Sequence, residues 1–156
     1  MRADLRSEAL LDTIPPMSSE ASRVTAEELT RLLDETIPLS RMMRVRIDHV
    51  DQNAARLTLP GSPDWVRAGG TLSGPAIMTL ADTAIYAAVL ARIGLEPMAV
   101  TADLSVRFLR RPAPTDLHAE ARVIHLGRRN AVAEVELWCD DRARIVAHAT
   151  GTYALP

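Results

Sequence analysis

The sequence predicts an α+β domain in which one long apolar helix is wrapped by a curved antiparallel sheet. Residues 75–91 are apolar on nearly every side of a helix, and a helix of that composition is buried. Six other segments alternate between apolar and polar residues with a period of two, which is typical of strands. Short turns join most of these segments, which favours antiparallel pairing. The predicted order is β-β-α-β-β-β-β, preceded by a short helix.

The length and composition indicate one domain with an N-terminal arm. The chain has 156 residues, within the roughly 100–200 residues of a single domain. Of these, 47% are hydrophobic and 24% are charged, which is ordinary for a globular protein that can bury a core. Pro15-Pro16 interrupts any regular pattern near the start. We therefore expect an arm over residues 1–24 and a single domain over residues 25–156.

The leading helix has a clear start and a clear end. Residues 25–28 are Thr-Ala-Glu-Glu, a capping box in which the hydroxyl and the last carboxylate each satisfy a free backbone amide. This predicts a helix over 26–36, and Pro38 cannot continue it. The period then changes to two, which predicts a hairpin of strands at 43–48 and 54–59.

The central helix follows a loop that is rich in Gly and Pro. Pro75 suits the first helical position, because the amide that it lacks would have no partner there. Either Ser73 or Gly74 can serve as the N-cap, and Gly94 marks the end. Four alternating segments joined by turns come next, and each predicts a strand. They are Val100–Phe108, Leu117–Val123, Ala131–Trp138 and Ile145–Thr150.

Composition excludes several classes of function. The chain carries 18 basic and 20 acidic residues, for a net charge of −2, which argues against a nucleic-acid partner. Every basic residue is Arg, so Schiff-base chemistry on a lysine is excluded. Cys139 is the single cysteine, which excludes an internal disulfide and a cysteine metal cluster. We expect it to be an inert core thiol.

We also expect no membrane partner and a cytoplasmic location. The first residues carry Asp4, Glu8 and Asp12 among short apolar runs, which is unlike a targeting segment. The longest apolar stretch, 75–91, contains Asp82 and is shorter than the roughly 20 residues that span a bilayer.

Asp82 is the first candidate for chemistry, because it is the only charged residue of the central helix between positions 75 and 91. Thr79, Thr83 and Tyr86 join it in one polar stripe at helical spacing. A carboxylate in apolar surroundings costs several kcal/mol unless hydrogen bonds or charges compensate it, and such groups cluster at functional sites. The alternative is a stripe that faces solvent or pairs with an Arg.

Gly74 is the second candidate, because it begins the central helix after a glycine-rich loop. Free amides and the positive end of the helix dipole can hold an oxyanion or a phosphate there, although many loops enter helices in this way. Gly74 and Asp82 are eight residues apart, or about 12 Å along a helix. They cannot both touch one carbonyl group, so a site that uses both implies a dimer with the site at its interface.

The remaining polar residues give weaker signals. Arg107, Arg110, Arg111, Arg128 and Arg129 lie near predicted strand ends, where arginine forks suit phosphates but are also common solvated residues. The four histidines are scattered on strands without metal-ligand spacing. We therefore predict no metal and no cofactor.

Several motifs resemble those of the hot-dog acyl-CoA thioesterases of the phenylacetate-pathway type. The run Gly70-Thr71-Leu72-Ser73-Gly74-Pro75-Ala76-Ile77-Met78-Thr79-Leu80-Ala81-Asp82-Thr83-Ala84 resembles the family signature around its central helix. Residues 100–112, 127–129 and 147–153 resemble the strand after that helix, the Gly-Arg-Arg turn and the closing strand. The likeness covers about residues 39–156, in order.

The resemblance implies a hot-dog fold and the hydrolysis of an acyl thioester, with coenzyme A entering only as part of the substrate. It implies that Asp82 is the nucleophile or general base, that the Gly74 amide stabilises the oxyanion, and that Thr101 positions the acid or the water. Arg128 and Arg129 become candidates for the coenzyme A phosphates. The family builds its site across a homodimer and often pairs dimers into tetramers.

The sequence also departs from the family pattern. The family commonly has His-Gly-Gly at positions 73–75, where this chain has Ser73, Gly74 and Pro75, and an Asn at the position of Arg67. Arg67 and Ser73 are therefore candidate substrate contacts of altered chemistry, and Thr83, which follows Asp82 in the polar stripe, is a further candidate substrate contact. These departures motivate a second hypothesis, a non-catalytic module that binds an acyl-CoA or an acyl carrier. A hot-dog dehydratase is a third, which the lack of a histidine near 67–86 disfavours.

Overall fold

The computed structural model describes residues 21–156 and shows a six-stranded antiparallel sheet packed against one long helix. The helices are α1 (Ala26–Thr36), α2 (Pro38–Met42) and α3 (Gly74–Ile93). The strands are β1 (Arg46–Val50), β2 (Ala55–Leu59), β3 (Val66–Arg67), β4 (Thr71–Leu72), β5 (Val100–Phe108), β6 (Leu117–Leu126), β7 (Asn130–Trp138) and β8 (Ala147–Ala154). The sheet order is β1-β2-β6-β7-β8-β5, while β3 and β4 form a separate hairpin. This is the hot-dog fold that the sequence predicts.

The central helix α3 is the core of the molecule. Its buried residues pack on strands β2, β6, β7 and β8, whose inward positions are mostly Ala, Val and Leu. Small residues on the facing strands let the helix and sheet approach closely. At 20 residues, α3 is longer than the predicted 75–91. The helix is thus long and apolar enough to cross a bilayer, which corrects the expectation that this stretch is too short to do so. Most of it, however, is buried inside the domain.

The predicted elements are present with several shifted boundaries, and the structure adds the short helix α2 and the β3–β4 hairpin. The short helix α2 begins at Pro38, so this proline ends one helix and opens another. Strand β1 therefore starts at Arg46 and not at Met43. Strand β8 is Ala147–Ala154 and not Ile145–Thr150. It starts late because the chain is still turning at Arg144, whose amide donates to the Asp141 carbonyl at 2.9 Å.

The end of the predicted arm packs on the domain. Val24 is buried, and the Arg23 amide donates to the Ala91 carbonyl at 3.0 Å. The boundary between arm and domain stays a prediction for residues 1–20, which lie outside the described part of the chain.

Strand β5 is the edge of the sheet that bears on the site. Within residues 21–156 it pairs on one side only, with β8. Its terminal residues Val100 and Phe108 are 52% and 54% exposed. An unpaired strand edge with exposed apolar residues is a surface that proteins usually cover.

Candidate active site

The first turn of α3 offers one free backbone donor. The Ser73 hydroxyl caps the helix by accepting from the Ala76 amide at 3.4 Å, and the Ile77 amide donates to the Ser73 carbonyl. Pro75 has no amide hydrogen. Among the hydrogen bonds of residues 21–156, the Gly74 amide has no acceptor. Gly74 is therefore the donor at which the positive end of the helix dipole is open to a ligand.

A basic cleft lies beside this helix end. Gly69 and Gly70 take positive φ values of 98° and 73° in the turn between β3 and β4, a conformation that glycine adopts without strain. That turn lets Arg67 and the Gly74 helix end line one cavity of about 580 Å³. Phe108 closes one side, with its ring 3.7 Å from the position that a Gly74 Cβ would take.

Among the residues that the structure describes, the lining of this cavity contains three arginines and no carboxylate. They are Arg67, Arg110 and Arg111. Arg110 also donates to the Ile145 carbonyl at 2.7 Å, which fixes its guanidinium. Guanidinium groups without a carboxylate partner suit a phosphate or another anion.

Asp82 lies in the middle of α3 and is held by hydroxyl groups from two strands. Its Oδ1 accepts from the Thr101 hydroxyl at 2.9 Å and from the Tyr153 hydroxyl at 2.7 Å. Thr101 is on β5 and Tyr153 is on β8, and the two residues are directly paired in the sheet. The predicted pairing of Asp82 with Thr101 is thus seen in the structure, and within residues 21–156 Asp82 forms no ion pair with an Arg.

Tyr153 is the site residue that sequence reasoning missed. It is 3% exposed, and burial together with the nearby Asp82 charge raises the pKa of its phenol well above the usual value. The phenol therefore stays protonated and remains a donor. The signal was available in part, since a tyrosine on the inward face of a strand needs a polar partner. That this partner is Asp82 is evident only from the pairing register of β5 and β8.

Thr83 lies on another face of the helix from the Asp82 carboxylate. It is 5% exposed, donates to the Thr79 carbonyl at 2.8 Å and lies 3.3 Å from the Ser40 hydroxyl. No contact in the described residues supports Thr83 as a substrate ligand, and that role stays a prediction. The residues of the predicted polar stripe therefore do not share one environment: Asp82 faces β5 and β8, and the Thr83 hydroxyl faces α2.

The Gly74 cavity and Asp82 are separate within one protomer. Asp82 and Thr101 are not among the residues that line the cavity. Thr101 lies near one end of β5 and Phe108 at the other, seven residues away, or about 23 Å along a strand. This separation of the cavity from Asp82 agrees with the expectation that Gly74 and Asp82 of one chain cannot touch the same carbonyl group.

Arg128 and Arg129 form an exposed turn between β6 and β7. The Arg129 carbonyl accepts from the Leu155 amide at 2.8 Å, and the next residue, Asn130, pairs with Ala154. Because Ala154 also pairs with Val100, this turn lies at the Thr101 end of the sheet. The structure does not bring these two arginines to the Gly74 cavity of the same protomer.

Two further predictions from the sequence concern metal ions and Cys139. Within residues 21–156 no three His, Cys, Asp or Glu side chains are grouped so as to hold a metal ion. Burial raises the pKa of the Cys139 thiol, which points toward the Ala113 carbonyl, as an inert thiol requires.

Comparison with known proteins identifies the family. The model of the thioesterase superfamily matches residues 69–146. A candidate thioesterase from Silicibacter sp. TM1040 is 33% identical, with a TM-score of 0.78 over 90% of this chain and 96% of that one. The phenylacetic acid degradation protein PaaI from Thermus thermophilus is 25% identical, with a TM-score of 0.68 over 76% and 99%. A candidate esterase from Sulfurisphaera tokodaii is 28% identical over 85% of this chain and 97% of the relative.

Proposed function

The chain belongs to the thioesterase superfamily, and on that premise we propose that it hydrolyses an acyl-CoA to the free acid and coenzyme A. One observation carries the proposal. The Asp82 carboxylate is held at one oxygen by two hydroxyl groups, while no hydrogen bond from residues 21–156 reaches its other oxygen. A fixed carboxylate with one free oxygen can serve as a general base or as a nucleophile.

The chemistry needs a base and an oxyanion donor on the thioester carbonyl. Asp82 takes a proton from water, which attacks the carbonyl carbon, or its free oxygen attacks that carbon directly. Negative charge develops on the carbonyl oxygen, and the Gly74 amide at the positive end of α3 stabilises it. Collapse of the intermediate breaks the carbon–sulfur bond, and the leaving thiolate takes up the proton that Asp82 removed from water. In the direct route the thiolate is protonated by solvent and leaves an acyl anhydride on Asp82, which water then hydrolyses to the free acid and the Asp82 carboxylate.

The two groups meet only if a second copy of the chain completes the site. Antiparallel pairing of β5 with β5 of a second copy about a two-fold axis at Ser105 sets the Thr101 end of one strand beside the Phe108 end of the other. That arrangement brings Asp82 of one protomer toward the Gly74 cavity of the other. The free edge of β5 and its exposed apolar ends support a homodimer. Association of two dimers stays a prediction.

The charge of the cavity supports coenzyme A as the leaving group. Arg67 and Arg111 line it beside the proposed oxyanion donor, and phosphate groups are good partners for guanidinium groups. In the β5-paired dimer, Arg128 and Arg129 of one protomer come to the cavity end of the other. They are the second candidate phosphate contacts. A cytoplasmic location stays a prediction.

The second candidate function is a binding module for acyl thioesters. The first turn of α3 favours it. Pro75 has no backbone amide hydrogen to donate, and the Ser73 hydroxyl is already bound as the helix cap. A site with a single oxyanion donor is a weaker catalyst, since one such donor is typically worth about 10²–10³ in rate. This hypothesis predicts saturable binding without thiol release.

The deciding experiment is thiol release from a panel of acyl-CoA thioesters, with Asp82→Asn beside the native chain. We expect hydrolysis of at least one member, reduced by about 10²–10⁴ in the variant. Asp48→Asn is the matched control, because the Asp48 carboxylate also accepts from a threonine hydroxyl, Thr58, but lies on β1 at the opposite edge of the sheet. Equal activity of Asp82→Asn and the native enzyme would exclude the mechanism, and binding without release would favour the module.

A further inference from the structure

We infer that Tyr153 is a positioning residue that fixes which oxygen of Asp82 reacts. The inference rests on the proposed function and concerns the same site. The Tyr153 and Thr101 hydroxyls both donate to Oδ1, at 2.7 and 2.9 Å. Oδ1 is therefore the anchored oxygen, and Oδ2 is the one that meets water or the thioester.

The sheet register builds this pair of donors. Tyr153 of β8 and Thr101 of β5 are direct cross-strand partners, so their side chains leave the same face of the sheet side by side. Both strands lie against α3 at the level of Asp82. The two hydroxyls are consequently presented to one carboxylate oxygen by backbone pairing, which leaves their separation little freedom.

The Tyr153 ring is held more firmly than the Thr101 hydroxyl. Strand β8 pairs on both sides, with β7 and β5, and Tyr153 is 3% exposed. Its ring stacks on that of Tyr86, with centroids 5.6 Å apart and planes 18° from parallel. Thr101, by contrast, is exposed on the edge strand. Tyr153 is thus the rigid member of the pair.

The hydroxyl of Tyr153 has two acceptors within reach. One is Asp82 Oδ1 at 2.7 Å and the other is the Asp82 backbone carbonyl at 3.2 Å. A phenol carries one hydrogen, and the shorter contact to the charged oxygen is the stronger bond. The longer contact shows that the ring lies against the same helical turn, so the donor is aimed at one residue.

This arrangement makes a kinetic prediction that a purely structural tyrosine does not. Loss of the hydroxyl frees rotation of the carboxylate, and Oδ2 then leaves the direction of attack. Small displacements of a reacting group can cost about 10²-fold in rate. We therefore expect Tyr153→Phe to lower kcat about 10- to 100-fold with little change in KM, because the phenol itself does not touch the substrate.

The chain offers a matched control in the same stack. Tyr86→Phe also removes one phenolic oxygen, but that oxygen lies 3.5 Å from the Glu96 carbonyl and does not bond to Asp82. We expect Tyr86→Phe to keep the native kcat and KM. Equal kcat values for Tyr153→Phe and Tyr86→Phe, in an enzyme that Asp82→Asn inactivates, would overturn the inference. Full activity of Asp82→Asn would instead overturn the proposed function.

A second measurement keeps the inference testable if Tyr153→Phe fails to fold. The chain has two tyrosines, so in a Tyr86→Phe background biosynthetic 3-fluorotyrosine labels Tyr153 alone. We expect its fluorine resonance to shift when Asp82→Asn is added, because the acceptor of the phenol loses its charge. An unchanged resonance would contradict the bond on which the inference depends.

Discussion

The two ends of the proposed reaction are built in opposite ways. Around Asp82 the groups are anchored: a buried tyrosine and a threonine bind one oxygen, and their strands are paired in register. Around Gly74 the chain leaves groups open: one amide has no acceptor within residues 21–156, and a cavity of about 580 Å³ carries arginines without a carboxylate. In the proposed function the first region supplies the reactive group, and the second holds the substrate.

This contrast bears on the proposed need for a second protomer. Preorganised groups are effective when they face the site of charge development, and the two regions of one chain lie at opposite ends of β5. In the proposed mechanism each region therefore supplies half of a site. Substitutions that change one region at a time test this difference.

In the Gly74 region the largest effect is expected from Gly74→Pro, which removes the free amide. Proline is well tolerated in the first helical turn, and Ser73 already has the extended conformation that precedes proline, with ψ at 150°. We expect thiol release to fall about 10²–10³-fold while the circular dichroism spectrum is unchanged.

Gly74→Ala is the control for that variant. It keeps the amide, and its Cβ meets only the Phe108 ring at an ordinary contact distance of 3.7 Å. We expect most of the activity to remain. Equal losses in the alanine and proline variants would show that the glycine serves packing and not the oxyanion.

The next effect concerns binding and not chemistry. Arg111 lines the open cavity, so Arg111→Gln should raise KM about tenfold and leave kcat unchanged. Added salt should raise the native KM and affect the variant less. Arg128→Gln at the exposed turn is the comparison, with a smaller rise expected. A fall in kcat without a change in KM in Arg111→Gln would place this arginine in the chemical step.

The smallest effect is expected on the outer face of the sheet. Hydrogen bonds from Arg122 and then His148 lower the pKa of the Glu134 carboxyl below its ordinary value of 4.5. A lowered pKa in the folded state contributes stability that is present above that ordinary value and is lost as the pH falls through the folded value. Glu134→Gln should therefore flatten the decline of Tm with acid below about pH 5.

Glu134→Gln also tests whether the outer face of the sheet takes part in activity. Glu134 points away from α3, since its neighbours Ala133 and Val135 are the buried residues of β7. Glu134→Gln should accordingly leave thiol release at neutral pH unchanged. A large loss of activity would mean that the outer face takes part in the site or in its assembly.

Sequence periodicity predicted most of the fold because the core is built from strong patterns. The apolar helix and the period-two strands indicated α3 and the sheet, and the capping box at residues 25–28 set the start of α1. The boundaries that shifted lie where a local turn overrides alternation. Strand β8 is the example, since Ile145 alternates like a strand residue but follows the turn at Arg144.

The site was predicted in part, and the missing part depends on register. The family resemblance implied Thr101, and Asp82 and Gly74 each carried a local signal, namely a lone charge in an apolar helix and a helix start. Tyr153 did not, because its contact with Asp82 joins residues that are 71 positions apart. Thr83 shows the converse, since helical spacing placed it in the stripe but the packing of α2 against α3 gave its hydroxyl the partner Ser40.

The most direct test of a site shared between two protomers is complementation between Gly74→Pro and Asp82→Asn protomers. If each site takes Gly74 from one protomer and Asp82 from the other, a mixed dimer regains one native site and one doubly impaired site. Equal amounts that exchange at random should recover about a quarter of the native thiol release, as expected for a two-fold dimer. No recovery from a mixture with proven subunit exchange would contradict the shared site.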